Sequence, residues 1–221
     1  MQDKCSKTIN LPSKETLDAI SFLGNSLALF FKRELFEQGA HENFEAFRCV
    51  DTTAAANEWP FANVKDVQVA LYCIQQGLDS TTDEELMWEF RRMFVGPFEK
   101  AVPPWGSVYT DRDCVVFGDS TLKLKEFMHQ KGIIAHGKQG APEDHIGLML
   151  SMMSWIAQNK PDVLVEYLKE HLLTWSFHFL DEMFEKTEYS FFKGAAQLTE
   201  ASLEGIQRKL AITIDYPTFF R

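Results

Sequence analysis

Residues 142–145, PEDH, are the best candidates for recognition chemistry in this chain. They stand directly before an apolar stripe of helical spacing that begins at Ile146. An acidic residue in a first turn interacts favourably with the helix dipole and the unpaired backbone N–H groups, which is a structural role for Asp144. The same carboxylate can instead receive a guanidinium, with His145 beside it as a second polar contact. Spacing alone favours the structural role.

Residues 132–139, GIIAHGKQ, match half of a phosphate-binding loop, the G-x4-G-K pattern. Gln139 stands where that motif has the Ser or Thr that binds magnesium, and the segment follows a predicted helix rather than a strand. A nucleotide-dependent factor using Lys138 is therefore a weak alternative. The ordinary interpretation is a helix end at Gly132 followed by a surface loop.

The other reactive residue types form no recognisable catalytic or metal-binding pattern. The 4 cysteines and 6 histidines are scattered, without CxxC, zinc-finger, HExxH or GxSxG spacing. We therefore expect no catalytic residue, no metal, no cofactor and no disulfide. The net charge of −10 argues against nucleic-acid binding. No leader-like segment and no apolar run of bilayer length is visible, so we expect a cytoplasmic protein without membrane insertion.

Two loops are predicted to position these residues. Residues 96–118 are rich in Pro and Gly, and loops of such length in compact domains usually have a function. This loop also carries Phe98, Trp105, Tyr109 and Phe117, which is too much aromatic surface for a disordered linker. We expect an ordered binding surface there. The second loop, 132–142, is predicted to be hinge-like.

Helical periodicity dominates the rest of the sequence and predicts an all-α fold of about eight or nine helices, in a single globular domain spanning 1–221. Ser13 is a predicted N-cap, and Thr82 with Glu85 a predicted capping box. Trp88 projects opposite the apolar face that contains Leu86, so it is either covered by a second helix or free for a partner; burial is favoured. The methionines at 149, 152 and 153 are either core residues or an adaptable surface.

Five segments in this order resemble the TorD/DmsD family of Tat proofreading chaperones, and the DmsD branch most. They are FVGP (94–97), PPWGSVYTDRD (103–113), VFGDSTLKLK (116–125), PEDH (142–145) and HLLTWSFHFLDEMFEK (171–186). The resemblance is good from about residue 89 onward. Before residue 80 it is only general helical character.

The resemblance implies an all-helical protein that binds, without catalysis, the twin-arginine signal peptide of a molybdoenzyme catalytic subunit of the dimethyl sulfoxide or trimethylamine N-oxide reductase type. Binding would hold the precursor for cofactor insertion before Tat export, and components of the Tat translocase are further expected partners. The expected oligomeric state is a monomer or a domain-swapped dimer. The signal-binding positions that the resemblance implies are Phe90, Met93, Phe94, Phe98, Pro104, Trp105, Tyr109, Gly118, Asp144 and His145.

The chain departs from the family pattern at a few of these positions. Phe90, Phe98 and Tyr109 stand where close relatives carry Trp, and Ala101 stands where a Pro is usual. These changes are compatible with an apolar groove but leave its preferred signal sequence open. A helical adaptor that recognises the mature reductase subunit is the main alternative function.

Overall fold

The computed structural model describes residues 11–32, 40–134 and 142–221. Across these residues the chain forms α-helices and no β-strand, apart from one bridge between Trp105 and His145. The helices are α1 Lys14–Lys32, α2 Ala40–Arg48, α3 Thr52–Glu58, α4 Val64–Ser80, α5 Asp83–Phe90, α6 Gly106–Thr110, α7 Asp119–Lys131, α8 Ile146–Asn159, α9 Leu164–Tyr167, α10 Ser176–Lys186 and α11 Ser190–Lys209. The predicted all-α fold is confirmed.

The described residues contain more helices than the eight or nine expected, because periodicity does not reveal several of the short ones. Helices α2, α3 and α6 have 9, 7 and 5 residues, too few for periodicity to distinguish them from loops. Two helices are longer than their α-helical bounds indicate. Helix α5 continues into a π-helical turn at Arg91–Val95, and α9 continues into another at Leu168–Leu172. The loop predicted at 96–118 is thus interrupted by α6. Of the hinge-like loop at 132–142, residues 135–141 lie outside the described residues.

The predicted helix ends are confirmed by their hydrogen bonds. Ser13 Oγ accepts the Thr16 N–H at 3.2 Å. Thr82 and Glu85 form a capping box, in which each side chain accepts the other residue's backbone N–H. Gly132 ends α7 in the left-handed conformation, with φ of 60°, which a glycine adopts without a steric penalty. Caps of this kind each stabilise a helix by about 1 kcal/mol.

The core is built around two closely packed helix pairs, α1 with α8 and α4 with α11. At Gly24 on α1 an added Cβ would lie 2.6 Å from the Leu150 carbonyl oxygen, so only glycine permits this approach. Ser21 and Ser154 hydrogen-bond across the same interface at 2.8 Å. The methionines of α8 are buried here, which decides their role in favour of the core.

Trp88 contradicts the expectation of burial, since 56% of it is exposed. Helix α5 lies at the edge of the bundle, where Leu86, Glu89 and Phe90 form its buried face. Trp88 points away from that face, and the Arg91 guanidinium lies 5.4 Å from its ring centroid. The periodicity identified the core face correctly but did not show whether a second layer covers the other one.

Residues 212–221, which we call the strap, are irregular and cross the surface of α6 and α10. The Phe220 N–H donates to the Tyr109 carbonyl at 2.9 Å, and the Phe219 ring stacks on His178 with centroids 4.2 Å apart. The Arg221 guanidinium donates to the Ala101 carbonyl at 3.0 Å and pairs with Glu182 at 3.3 Å. These contacts fix the strap beside the segment that contains Trp105.

Candidate functional site

Asp144 and Ile146 are joined to residues 104–107, at the start of α6, by three hydrogen bonds. Asp144 Oδ2 accepts the Ser107 N–H at 2.8 Å, and the Asp144 backbone carbonyl accepts the Gly106 N–H at 3.2 Å. The Ile146 N–H donates in the opposite direction, to the Pro104 carbonyl at 2.8 Å. Asp144 therefore has a structural role, but not the predicted one. Its carboxylate caps α6, whereas the sequence predicts that it stabilises the start of its own helix, α8.

His145, the next residue, supplies the cap of α8. Its Nδ1 accepts the Gly147 N–H at 3.1 Å, which requires an unprotonated Nδ1. Burial, together with the nearby charge of Lys32, lowers the pKa of His145 to about 4. The imidazole is therefore neutral at physiological pH. Its ring meets the Trp105 ring edge to face, with centroids 5.9 Å apart.

The second carboxylate oxygen of Asp144, Oδ1, is buried and has no hydrogen-bond partner. Only 2% of the residue is exposed. A buried polar atom without a partner costs about 1–3 kcal/mol, and more when it is charged. Asp144 is one of the residues that line a cavity of about 240 Å³, so an acceptor without a partner belongs to the cavity wall. The arrangement leaves a strong acceptor available to a ligand.

The cavity is acidic, and we refer to it as the acidic cavity. Lys123 and His171 are also in its wall, and burial lowers the pKa of His171 to about 4, so this imidazole is neutral at pH 7. The walls bring together carboxylates from four separate parts of the chain: Asp111, Asp119, Asp144, Glu170 and Asp215. The surplus of negative charge favours a cationic ligand.

The side chain of Asp111 leaves no room for a Cβ atom at position 118, which is therefore glycine. A Cβ at Gly118 would collide with Oδ2 of Asp111, although the backbone there would accept any residue. Burial raises the pKa of Asp111, and the neighbouring charges of Asp119 and Asp144 raise it further, opposed by the Asp119 backbone amide and by Lys123. Because glycine has no side chain, the Asp111 carboxylate can lie at the acidic cavity together with that of Asp144.

An exposed aromatic surface adjoins the bridge. Phe98 is 86% exposed, and Trp105 is partly exposed with the Lys100 ammonium 5.4 Å from its ring centroid. Phe98 also shares a small cleft of about 160 Å³ with Trp88. Neighbouring aromatic side chains that are exposed together are typical of surfaces that bind a partner.

Five of the ten positions implied by the resemblance lie in the core instead. Phe94 packs against Phe31 and Phe179, and Tyr109 stacks on Trp175 with centroids 5.9 Å apart. Burial raises the pKa of Tyr109 well above its ordinary value. These side chains pack beneath the site and do not face solvent. Apart from Asp144, the five buried positions are Phe90, Met93, Phe94, Pro104 and Tyr109.

Sequence reasoning missed most of the acidic cavity. Asp111 and Asp119 fall inside the family-like segments, and their position there was the only available signal. Asp215 lies in the strap, nearly a hundred residues further along, and no pattern connects it to them. Within the described ranges, no three His, Cys, Asp or Glu side chains are grouped closely enough to hold a metal ion. Searched over the same ranges, none of the helices has the length and apolarity needed to cross a membrane.

Comparison with known proteins defines the class. Residues 62–181 match the family model described as nitrate reductase delta subunit. The "Probable Tat proofreading chaperone DmsD" of Haemophilus influenzae is 35% identical over 209 residues, covering 94% of this chain and all of the relative. The "Tat proofreading chaperone DmsD" of Salmonella typhimurium is 37% identical over 141 residues, 63% of this chain and 69% of the relative. These are chaperones of redox enzyme maturation, not enzymes.

The chain belongs to this family, the TorD/DmsD family. A solved structure supports the fold alone. A redox enzyme maturation protein from Archaeoglobus fulgidus aligns with a TM-score of 0.51 at 18% identity, and the alignment covers 90% of this chain and 99% of that protein. The family resemblance seen in the sequence is thereby confirmed.

Proposed function

We propose that this protein is a cytoplasmic chaperone that binds the twin-arginine signal peptide of a molybdoenzyme catalytic subunit of the dimethyl sulfoxide or trimethylamine N-oxide reductase type. It holds the precursor for cofactor insertion before Tat export. The observation that carries the proposal is the buried, unpartnered Oδ1 of Asp144 in an acidic cavity beside exposed aromatic side chains. The similarity to the two DmsD chaperones supports the same function.

The chemistry of such a signal matches the two halves of the site. A twin-arginine signal offers two guanidinium groups followed by an apolar stretch that can become helical. The guanidinium groups require carboxylates, which Asp144 and its neighbours supply, and the apolar stretch requires a hydrophobic surface, which Phe98 and Trp105 supply. Because the disordered signal loses conformational entropy on binding, we expect moderate affinity, which suits a partner that must later be released.

The ten candidate positions take two roles in this proposal. Five of them contact the signal or form the cavity, because they are exposed, partly exposed or next to the acidic cavity. These positions are Phe98, Trp105, Gly118, Asp144 and His145. The five buried positions hold these residues in place, and their substitution would act through the packing beneath the site.

The proposal is tested by comparing the precursor of a candidate reductase subunit with the same subunit lacking its signal. We expect the chaperone to bind the precursor and to bind the mature form at least tenfold more weakly. Asp144→Asn should reduce precursor binding while circular dichroism shows unchanged helicity, and Asp162→Asn, which removes an exposed charge elsewhere, should not. Equal affinity for precursor and mature subunit would contradict the proposal and favour an adaptor that recognises the folded enzyme.

A further inference from the structure

We infer that the acidic cavity accepts one arginine side chain of the signal peptide, held by Asp111 and Asp144 at its floor and by Asp215 of the strap at its mouth. The inference rests on the proposed function and specifies how its polar half works. It assigns roles to Asp111, Asp215 and the strap, and it separates the two arginines of the signal, because only one of them enters.

Several side-chain oxygens of the residues that line the acidic cavity have no hydrogen-bond partner. They are Asp144 Oδ1, Asp111 Oδ2 and Ser120 Oγ. A guanidinium carries five N–H donors in one plane and no acceptor, so it can satisfy several of these oxygens at once. Asp144 is the deepest anchor, because it is almost fully buried and its Oδ2 is already fixed by Ser107.

The walls suit the arginine stem as well as its head group. Leu124, Met149 and Trp175 are buried and line the same cavity, so they provide an apolar lining for three methylene groups. The cavity volume of about 240 Å³ far exceeds the roughly 30 Å³ that one water molecule takes up in the liquid. There is therefore room for a side chain that carries both an apolar stem and a planar charged group.

The mouth provides the attraction for a cation. Asp119, Glu170 and Asp215 are exposed at the cavity, opposed among the lining residues by the single ammonium of Lys123. The carboxylates are spread too widely for three of them to coordinate one metal ion, a statement that covers the described part of the chain. A delocalised guanidinium can bridge such a spacing, whereas a lysine ammonium, a compact charge with three donors, reaches fewer of the oxygens.

The test uses calorimetric titration of the full chain with four versions of one signal peptide, which carry Arg-Arg, Arg-Lys, Lys-Arg or Lys-Lys. We expect one single-lysine peptide to bind nearly as well as the Arg-Arg peptide and the other to bind at least tenfold more weakly. Asp111→Asn and Asp215→Asn should each weaken the Arg-Arg peptide by fivefold or more. They should barely affect the peptide that lacks the critical arginine. Asp162→Asn, an equal loss of charge away from the cavity, is the matched control.

The outcomes separate the inference from the function on which it rests. If the Arg-Arg peptide binds but the cavity variants behave like Asp162→Asn, or if both single-lysine peptides lose affinity equally, the inference is overturned and the chaperone function stands. If none of the peptides binds to the wild-type protein, the proposed function fails and the inference fails with it. Selective loss at one arginine together with sensitivity to Asp111 and Asp215 supports both.

Discussion

At Asp144 the two oxygens of one carboxylate have different environments. Oδ2 accepts the Ser107 N–H and closes the start of α6, whereas Oδ1 is buried without a partner at the acidic cavity. The first contact is structural and the second is available for a ligand. The structural contact thus belongs to α6 and not, as the sequence predicts, to α8, while the second oxygen is compatible with the predicted contact to a guanidinium.

Substitutions at Asp144 should separate these two roles by their effect on stability. Asp144→Ala leaves the buried Ser107 N–H without an acceptor, which should lower the free energy of unfolding by about 1–3 kcal/mol. Asp144→Asn keeps an acceptor oxygen for that N–H, so its stability should stay within about 1 kcal/mol of the wild type. Urea unfolding measures both values. An equal loss in the two variants would contradict the assignment of Oδ2 as the structural oxygen.

Two partly buried histidines predict how the stability of the fold depends on pH. His145 and His171 have pKa values of about 4 in the folded protein, below the ordinary value of about 6.5. As the pH falls, the unfolded chain binds protons first, so the stability that these groups contribute is complete above pH 6.5 and is lost between pH 6.5 and 4. An imidazole titration by NMR should give midpoints near 4. Midpoints near 6.5 would show that neither ring is buried as described.

At the scale of elements, local signals were readable from the sequence and tertiary ones were not. The caps at Ser13, Thr82 and Gly132 involve residues within a few positions of one another, so they were predicted and are confirmed. The cap of α6 comes from Asp144, whose partner Ser107 is 37 positions away in the chain, so no local sequence pattern predicts it. Trp88 was wrongly expected in the core for the same reason, because its exposure depends on which helices neighbour α5.

The strap should be released by Arg221→Ala. This variant loses the pair with Glu182 and the hydrogen bond to the Ala101 carbonyl, which fix the strap beside α6 and place Asp215 at the cavity. We expect faster hydrogen exchange in 212–220 and several-fold weaker binding of a twin-arginine peptide. Arg208→Ala, which breaks an exposed pair with Glu204, is the control and should change neither. Unchanged exchange in the strap would contradict its anchoring by Arg221.

For the molecule as a whole, the net charge of −10 argues against nucleic-acid binding but does not show where a cation binds. The structure adds that five carboxylates from distant parts of the chain line one cavity. The fold class could be predicted from helical periodicity and from the family-like segments. The cavity could not, because its residues become neighbours only when α7, α8, the α9 extension and the strap have packed together.

Salt should weaken signal binding if these charges attract the peptide. The Debye length shortens from about 10 Å at 0.1 M to about 3 Å at 1 M ionic strength, so attraction to the exposed carboxylates is screened. We expect affinity for a twin-arginine peptide to fall several-fold between 0.05 and 0.5 M salt, with a smaller change when the same peptide is titrated into Asp215→Asn, which lacks one exposed carboxylate of the cavity. Calorimetry across salt concentrations measures both slopes. Equal slopes would contradict an electrostatic role for Asp215.

The most direct test of the central claim is isothermal titration of the wild-type protein with a panel of twin-arginine signal peptides, each paired with a version in which both arginines are alanine. The proposed function predicts saturable binding to at least one peptide and its loss with the paired control, which would also name the client. Binding that persists unchanged in the alanine peptide, or flat titrations across the whole panel, would contradict the proposal that this chaperone reads the twin-arginine signal.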